Sequence, residues 1–509
     1  MLARLQSVAL LGIEAVPCEI EVDVASRGMA SAAIVGLPDT AIKESLERIR
    51  SALHNSGYRW PQYKTVINLA PADLKKEGPA FDLPIALGMI FAGGEGVPDR
   101  VRDYIIAGEL ALDGRVRPIR GALSMAMCAR ARGVTGLIVP LENATEAAVV
   151  TDVEVIGVGT LAEAIGFLTE QLPLDPTCVD VDAVFARESR YEEDFADVRG
   201  QEAVKRALTI AAAGGHNILL IGPPGTGKTM LSKRIPTILP PLTLAESLET
   251  TRIYSAAGKL PPGQSLLARR PVRSPHHSAS APALVGGGSI PQAGEVSLAH
   301  HGLLFLDEFP EFPRTILETL RQPLEDGVVT IVRSHSAVTF PARFMLVAAM
   351  NPCPCGYYTD PRRPCKCTPP QVERYLSRIS GPLIDRIDIH IEVPPVPYRE
   401  LRGNQVGSDS AVMREQVIRA RHVQQARYGK ESTILNGRAS TAQLRRYCTL
   451  DEASEALLKQ ALTELGLSAR AHDKILRVAR TIADLAGREH IAADDVSEAI
   501  MYRRLDRRI

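Results

Sequence analysis

The sequence predicts an α/β protein built from several domains, and three observations carry that expectation. Short apolar runs alternate with helical stretches over the first third. Near the middle a glycine-rich loop joins an apolar run to a helix, and helical patterns fill the C-terminal third. A length of 509 residues suggests about three domains. With 45% hydrophobic and 23% charged residues, the composition is that of an ordinary globular chain. Lys+Arg and Asp+Glu both number 59, so any basic surface must be local rather than global. No run approaches the ~18 apolar residues that span a membrane, and the apolar start is broken at Glu14 with no cleavage pattern after it. Eight cysteines, four of them crowded into one segment, do not describe a disulfide-stapled chain. A cytoplasmic protein is expected.

In the first third, residues 19–24 alternate with period two, as a half-buried strand does. Residues 39–57 carry Ile42, Leu46, Ile49 and Leu53 on one helical face, with Gly57 as a stop. Runs at 65–69, 104–106 and 136–139 read as further strands. Two stretches here, KEGPA at 76–80 and GELALDGRVRPI at 108–119 continuing to Gly133, resemble the proteolytic domain of Lon proteases. That resemblance puts Ala80 at the nucleophile and Met125 at the catalytic lysine. A Ser–Lys dyad needs a hydroxyl and an amine to take its proton, so this domain is not expected to be a peptidase. An unrelated α/β domain is the alternative. Domain boundaries are expected at 1–170, with a Pro-, Asp- and Arg-containing linker at 171–192.

The apolar run NILLI at 217–221 suits a buried parallel strand, and GPPGTGKT at 222–229 follows it. Gly222, Pro223, Pro224, Gly225, Thr226, Gly227, Lys228 and Thr229 fit the pattern G-x-x-x-x-G-K-[ST]. Its backbone N–H groups and helix N-terminus suit a polyphosphate. Lys228 would reach the β/γ-phosphates of ATP, and the Thr229 hydroxyl would hold Mg²⁺. A helix is expected from 230 to 235, until Pro236 interferes. Further on, GLLFLDE at 302–308 reads as a buried strand ending in two carboxylates, Asp307 for Mg²⁺ and Glu308 for the attacking water. An Asp-Glu pair opening a helix is the alternative.

Lys228 and Asp307 lie 79 positions apart (307 − 228), which leaves room for an insertion. Residues 275–281 and 286–294 are turn-rich and suit a projecting loop. A hairpin is expected from strands 328–332 and 337–340 around a turn at 333–336. The run at 344–351 ends on Asn351, which could orient a water beside the γ-phosphate or simply end a strand.

These pieces resemble the AAA+ branch that includes magnesium chelatase subunits and the MCM replicative helicases. The DVRGQ segment at 197–201 resembles that family's adenine-packing segment. The resemblance implies an AAA+ core at 193–400 with a parallel sheet and β-hairpin inserts, and a helical lid at 401–509. Arg333 falls where the helicase hairpin contacts DNA, with His335 beside it. Arg386 matches the arginine finger that reaches a neighbouring subunit, and Arg470 matches the sensor-2 arginine near the γ-phosphate. A homo-oligomer is implied, with a hexamer as the family expectation.

An insert at 353–367 holds Cys353, Cys355, Cys365 and Cys367 as two C-x-C pairs around a short loop. Four thiolates can close a tetrahedral structural Zn²⁺ site with Zn–S near ~2.3 Å; free or redox-active cysteines are the alternative. Taken over nearly the whole chain, the order of parts resembles the ComM/YifB family. That family implies an ATP-driven DNA helicase acting on single-stranded and branched DNA to promote branch migration during recombination and natural transformation. A chelatase-like motor remodelling a protein partner, and an ATP-dependent protease, are the competing readings.

Overall fold

A computed structural model of the chain describes residues 1–76, 78–189, 191–288, 291–333, 336–358, 360, 362–397, 407–429 and 433–503. The chain forms two compact units, the first from 1–188 with 243–268 and the second from 189–242 with 269–509.

The first unit is built on a seven-stranded sheet. Its strands are β1 (Leu2–Leu11), β2 (Glu14–Val24), β3 (Ala32–Val35), β4 (Thr65–Ala70), β5 (Tyr104–Ile106), β8 (Gly136–Pro140) and β9 (Glu154–Val158). Between them a short ribbon pairs β6 (Glu109–Leu110) with β7 (Val116–Arg117). The sheet order is β3-β4-β2-β1-β5-β8-β9. Strands β1 and β2 form an antiparallel hairpin with Leu10 opposite Ala15, and β5, β8 and β9 continue the sheet in parallel. The helix read at 39–57 runs Thr40–Asn55, and the Asp39 carboxylate caps it by accepting the Ile42 N–H at 2.8 Å. It buries Ile42, Ile49 and Leu53 as the spacing requires.

Ala80 sits in a short turn at Pro79–Phe81, and Met125 is buried in the helix Ala122–Arg132. The helix Leu244–Ala256 comes from the middle of the sequence yet packs in this unit. There Arg252 donates to the Ile13 carbonyl at 3.0 Å and the Ser124 hydroxyl at 3.1 Å. Where the sequence suggests only a linker, the chain forms the helix Val181–Glu188 with Val184 buried. Val184 packs with Val149 and Leu266, and Val181 and Phe185 lie against them; the three apolar positions 181, 184 and 185 on one helical face are the signal, set among Pro, Asp and Arg.

The second unit is organised by a five-stranded parallel sheet in the order β11-β14-β17-β10-β18, formed by β10 (Ile218–Ile221), β11 (Val272–Arg273), β14 (Leu303–Leu306), β17 (Met345–Met350) and β18 (Ile389–Glu392). The central strands are wholly apolar and buried, as a sheet covered on both faces demands. Among the described residues two ribbons lie outside it: β12 (Gly286–Gly287) with β13 (Gln292–Ala293), and β15 (Val328–Arg333) with β16 (Ser336–Pro341). The second is the expected hairpin, but Arg333 ends its strand opposite Ser336 rather than lying in the turn.

The helix after the glycine loop runs Lys228–Ile238 and contains Pro236, so the proline does not end it where the sequence suggests. Pro236 falls in the last turn, where one forgone N–H bond costs little beside the burial of Ile235 and Ile238. Among the described residues four helices follow the sheet, Ser410–Tyr428, Glu452–Leu465, Ala469–Leu485 and Ala493–Met501, with a short one at Thr441–Tyr447. Among the described residues no helix is long and apolar enough to cross a membrane.

Candidate functional site

The parallel register brings three motif ends to one edge of the sheet. Ile221 lies opposite Met350 across β10 and β17, and Leu306 lies opposite Ala348 across β14 and β17. The residues that follow these strands, Gly222, Asp307 and Asn351, therefore meet at their carboxyl ends, where open α/β sheets place their ligands.

The loop 222–229 needs glycine for two distinct reasons. Gly225 and Gly227 have φ of +79° and +88°, which side-chain-bearing residues avoid. Gly222 instead lies so close to β18 that a β-carbon on it would stand 2.4 Å from the Val393 carbonyl oxygen. Thr226 is buried and donates to the Pro223 carbonyl at 3.0 Å. The Lys228 ammonium donates to the carbonyls of Gly222 at 2.7 Å and Pro223 at 3.0 Å, and to Asn351 Oδ1 at 3.2 Å. Burial pulls its pKa down, with the Asp307 charge opposing. Such a lysine is a compact cation at the mouth of a helix N-terminus, suited to phosphate oxygens.

Thr229 donates its hydroxyl to Asp307 Oδ2 at 2.7 Å. These two oxygens form a hard-ligand pair of the kind Mg²⁺ takes alongside phosphates and water, so the residues present fit that ion. Glu308 follows in a left-handed conformation, φ +51°, with its N–H bonded to Asp307 Oδ1 at 2.9 Å. Its carboxylate meets His277, whose Nδ1 lies 3.1 Å from Glu308 Oε2. His277 also stacks on His276, with ring centroids 4.0 Å apart. In the sequence this His-His pair is only part of a turn-rich loop. Adjacent histidines in a polar loop were the available signal. Gln201, from the DVRGQ segment, donates to the carbonyls of Thr226 at 2.9 Å and Pro394 at 3.1 Å, tying that segment to the phosphate loop.

The two arginines lie elsewhere. Arg386 is ion-paired to Glu325, and Arg386 and Arg470 both line a cavity of about 360 Å³ whose walls include no residue of the loop 222–229. Arg470 stands in the first turn of the helix Ala469–Leu485, which Ser468 caps at 3.2 Å. That helix is locked to the sheet by Lys474, which donates to Asp388 Oδ1 at 2.6 Å. Burial would raise the Asp388 carboxyl, but Lys474 and His216 beside it hold it well below the ordinary carboxylate range.

Arg333 is exposed and donates from Nε to the Gly288 carbonyl at 3.1 Å, so the β15–β16 hairpin meets the β12–β13 ribbon. His335 lies outside the described residues. The sulfurs of Cys353, Cys355, Cys365 and Cys367 lie within 4.8 Å of one another. Cys353 and Cys355 are 3.4 Å apart, and Cys365 stands 3.7 and 3.6 Å from them. Tetrahedral thiolates at ~2.3 Å from zinc stand about 3.8 Å apart, so the donor set fits that ion. Backbone N–H groups of Lys366 and Tyr357 lower the Cys355 thiol to about 6, while Cys365 and Cys367, crowded against Cys355 and Cys353, are raised.

The family "Magnesium chelatase, subunit ChlI" matches residues 194–401, "Subunit ChlI of Mg-chelatase" matches 20–143, and "Magnesium chelatase, subunit ChlI C-terminal" matches 407–503. The competence protein ComM of Haemophilus influenzae is 44% identical over 515 residues, covering 99% of this chain and 98% of that protein. The protein YifB of Salmonella typhimurium is 44% identical over 516 residues, with 99% and 98% covered, and YifB of Escherichia coli 44% over 503, with 98% and 96%. The chain belongs to the ComM/YifB family and is an AAA+ ATPase of the magnesium chelatase type.

Proposed function

We propose that this ATPase is a ring-forming DNA motor, a helicase that drives branch migration of recombining strands in the cytoplasm. The observation that carries hydrolysis is the convergence of Lys228, Thr229, Asp307, Glu308 and Asn351 at adjoining strand ends. Lys228 neutralises the β/γ-phosphates. Thr229 and Asp307 would hold Mg²⁺, which would offset the charge of the phosphates. Glu308 takes the proton of the attacking water, and Asn351 orients that water. Because Arg386 and Arg470 share a cavity apart from the loop 222–229, we read both as completing the site of a neighbouring copy, in a hexamer. The C-terminal helices then serve as the lid that carries Arg470. The first unit is a Lon-like scaffold without the dyad, since Ala80 and Met125 supply neither hydroxyl nor amine.

The DNA reading is supported by Arg333 at the exposed end of β15, joined to the β12–β13 ribbon, where a cation can neutralise phosphate. The name of the Haemophilus relative, a competence protein, supports a role in natural transformation. The four cysteines hold a structural Zn²⁺. The test is the ATPase rate with and without single-stranded and branched DNA. DNA is expected to accelerate the wild type, Glu308→Gln to lower kcat by about 10²–10⁴-fold, and Arg333→Ala to hydrolyse ATP without responding to DNA. A rate indifferent to DNA at low salt would instead favour a motor acting on a protein client, in keeping with the chelatase relatives.

A further inference from the structure

The four-cysteine loop leans on the phosphate loop. Gly356, at φ +85°, lies against the Pro224 ring: a β-carbon on it would stand 2.6 Å from Pro224 Cδ and 2.8 Å from Cγ. The same β-carbon would stand 3.9 Å from Cγ of Asn351, the residue whose side-chain oxygen receives the Lys228 ammonium. Cys353 is fully buried two positions after Asn351. On the far side of the insert, the helix Pro369–Leu376 buries Tyr375, whose hydroxyl meets the Asn351 backbone. The segment from 353 to 368 has neither helix nor strand of its own among its described residues; turn bonds such as Gly356 N–H to the Cys353 carbonyl at 2.9 Å, the Arg363 bond to the Tyr357 hydroxyl at 3.1 Å and the four clustered sulfurs shape it.

We propose that a metal ion held by Cys353, Cys355, Cys365 and Cys367 braces the phosphate loop through Gly356 and Asn351, making nucleotide affinity metal-dependent. This rests on the reading that the cysteines bind zinc. A metal joins the two C-x-C pairs by strong bonds, whereas uncharged thiols at these separations offer only weak hydrogen bonds. With the pairs joined, Gly356 is pressed against Pro224 and Asn351 is set opposite Lys228. Without the metal, Pro224 loses its backing and Asn351 its anchor at Cys353. Both residues adjoin the groups that meet the phosphates, so the effect falls on binding.

The test uses the full chain with a fluorescent ATP analogue and measured metal content. Freshly purified protein is expected to hold one zinc per chain. A chelator selective for zinc over Mg²⁺ should weaken analogue binding about tenfold, the scale of ~1.4 kcal/mol, and added zinc should restore it. Gly356→Val should keep its zinc, because the cysteines are intact, yet bind the analogue comparably weakly. Zinc present, with affinity unchanged by chelation and by Gly356→Val, overturns the brace. Protein that purifies without zinc overturns the metal reading beneath it.

Discussion

Asp82 in the first unit and Asp388 in the second are both buried carboxylates facing cations, yet they titrate in opposite directions. Asp82 is pushed up to about 6 by burial, against a fork of bonds from Arg48, at 2.9 Å from Nε and 3.2 Å from Nη2, and the Leu110 N–H at 3.3 Å. Asp388 is as deeply placed but has the Lys474 ammonium at 2.6 Å, His216 Nδ1 at 3.6 Å and the Asn217 N–H at 3.1 Å. The Lys474 ammonium, with His216 beside it, reverses the sign. The two sites also differ in what they hold. Arg48 joins one helix to the start of the next, whereas Lys474 fixes the helix that presents Arg470 beside Arg386.

The largest effect should follow from Asp388→Asn, which leaves the buried Lys474 without its counter-charge. A loss of about 3–5 kcal/mol is expected, read as faster hydrogen exchange across the helix Ala469–Leu485. Asp388 is depressed in the folded state, so its contribution is present above the unfolded carboxylate value near ~3.9 and fades as pH falls through the folded value. The mutant should therefore lose its disadvantage only in strong acid. Protection equal to wild type at neutral pH would show that the Lys474 pair does not hold this helix.

Asp82→Asn should change stability by no more than about 1 kcal/mol at pH 7, because Arg48 is partly exposed and can hydrate. Its signature is the sign of the pH dependence. A raised carboxyl binds its proton more tightly when folded, so wild-type stability should fall relative to Asp82→Asn as pH rises from about 4 to 6. The chain has a single tryptophan, Trp60, and it lies in the first unit, so urea unfolding followed by its fluorescence reads that unit selectively. The opposite slope would mean that Arg48 outweighs burial.

The nucleotide site was legible because each of its motifs is continuous in sequence and follows an apolar run that can only be a buried strand. Parallel register did the rest, setting Gly222, Asp307 and Asn351 side by side. What escaped were contacts made by packing alone. His277 reaches Glu308 from 31 positions away (308 − 277), and no periodicity links them. The helix Leu244–Ala256 has no apolar stripe and buries Ser247, Thr250 and Thr251, so only tertiary contacts such as Arg252 with Ser124 assign it to the first unit. Arg386 finds Glu325 61 positions away in the helix Arg321–Asp326, and its meeting with Arg470 depends on how the last helices return to the sheet.

The central claim is that one copy's Glu308 works with another copy's Arg386, and mixing two inactive variants tests it most directly. Glu308→Gln and Arg386→Ala should each hydrolyse ATP at least about 10²-fold more slowly than wild type. Assembled together, they should regain hydrolysis, because an Arg386→Ala copy still has Glu308 and can receive an intact Arg386 from its Glu308→Gln neighbour. A mixture as inactive as its parts, with mixed assemblies demonstrated by differently tagged copies, would contradict the account.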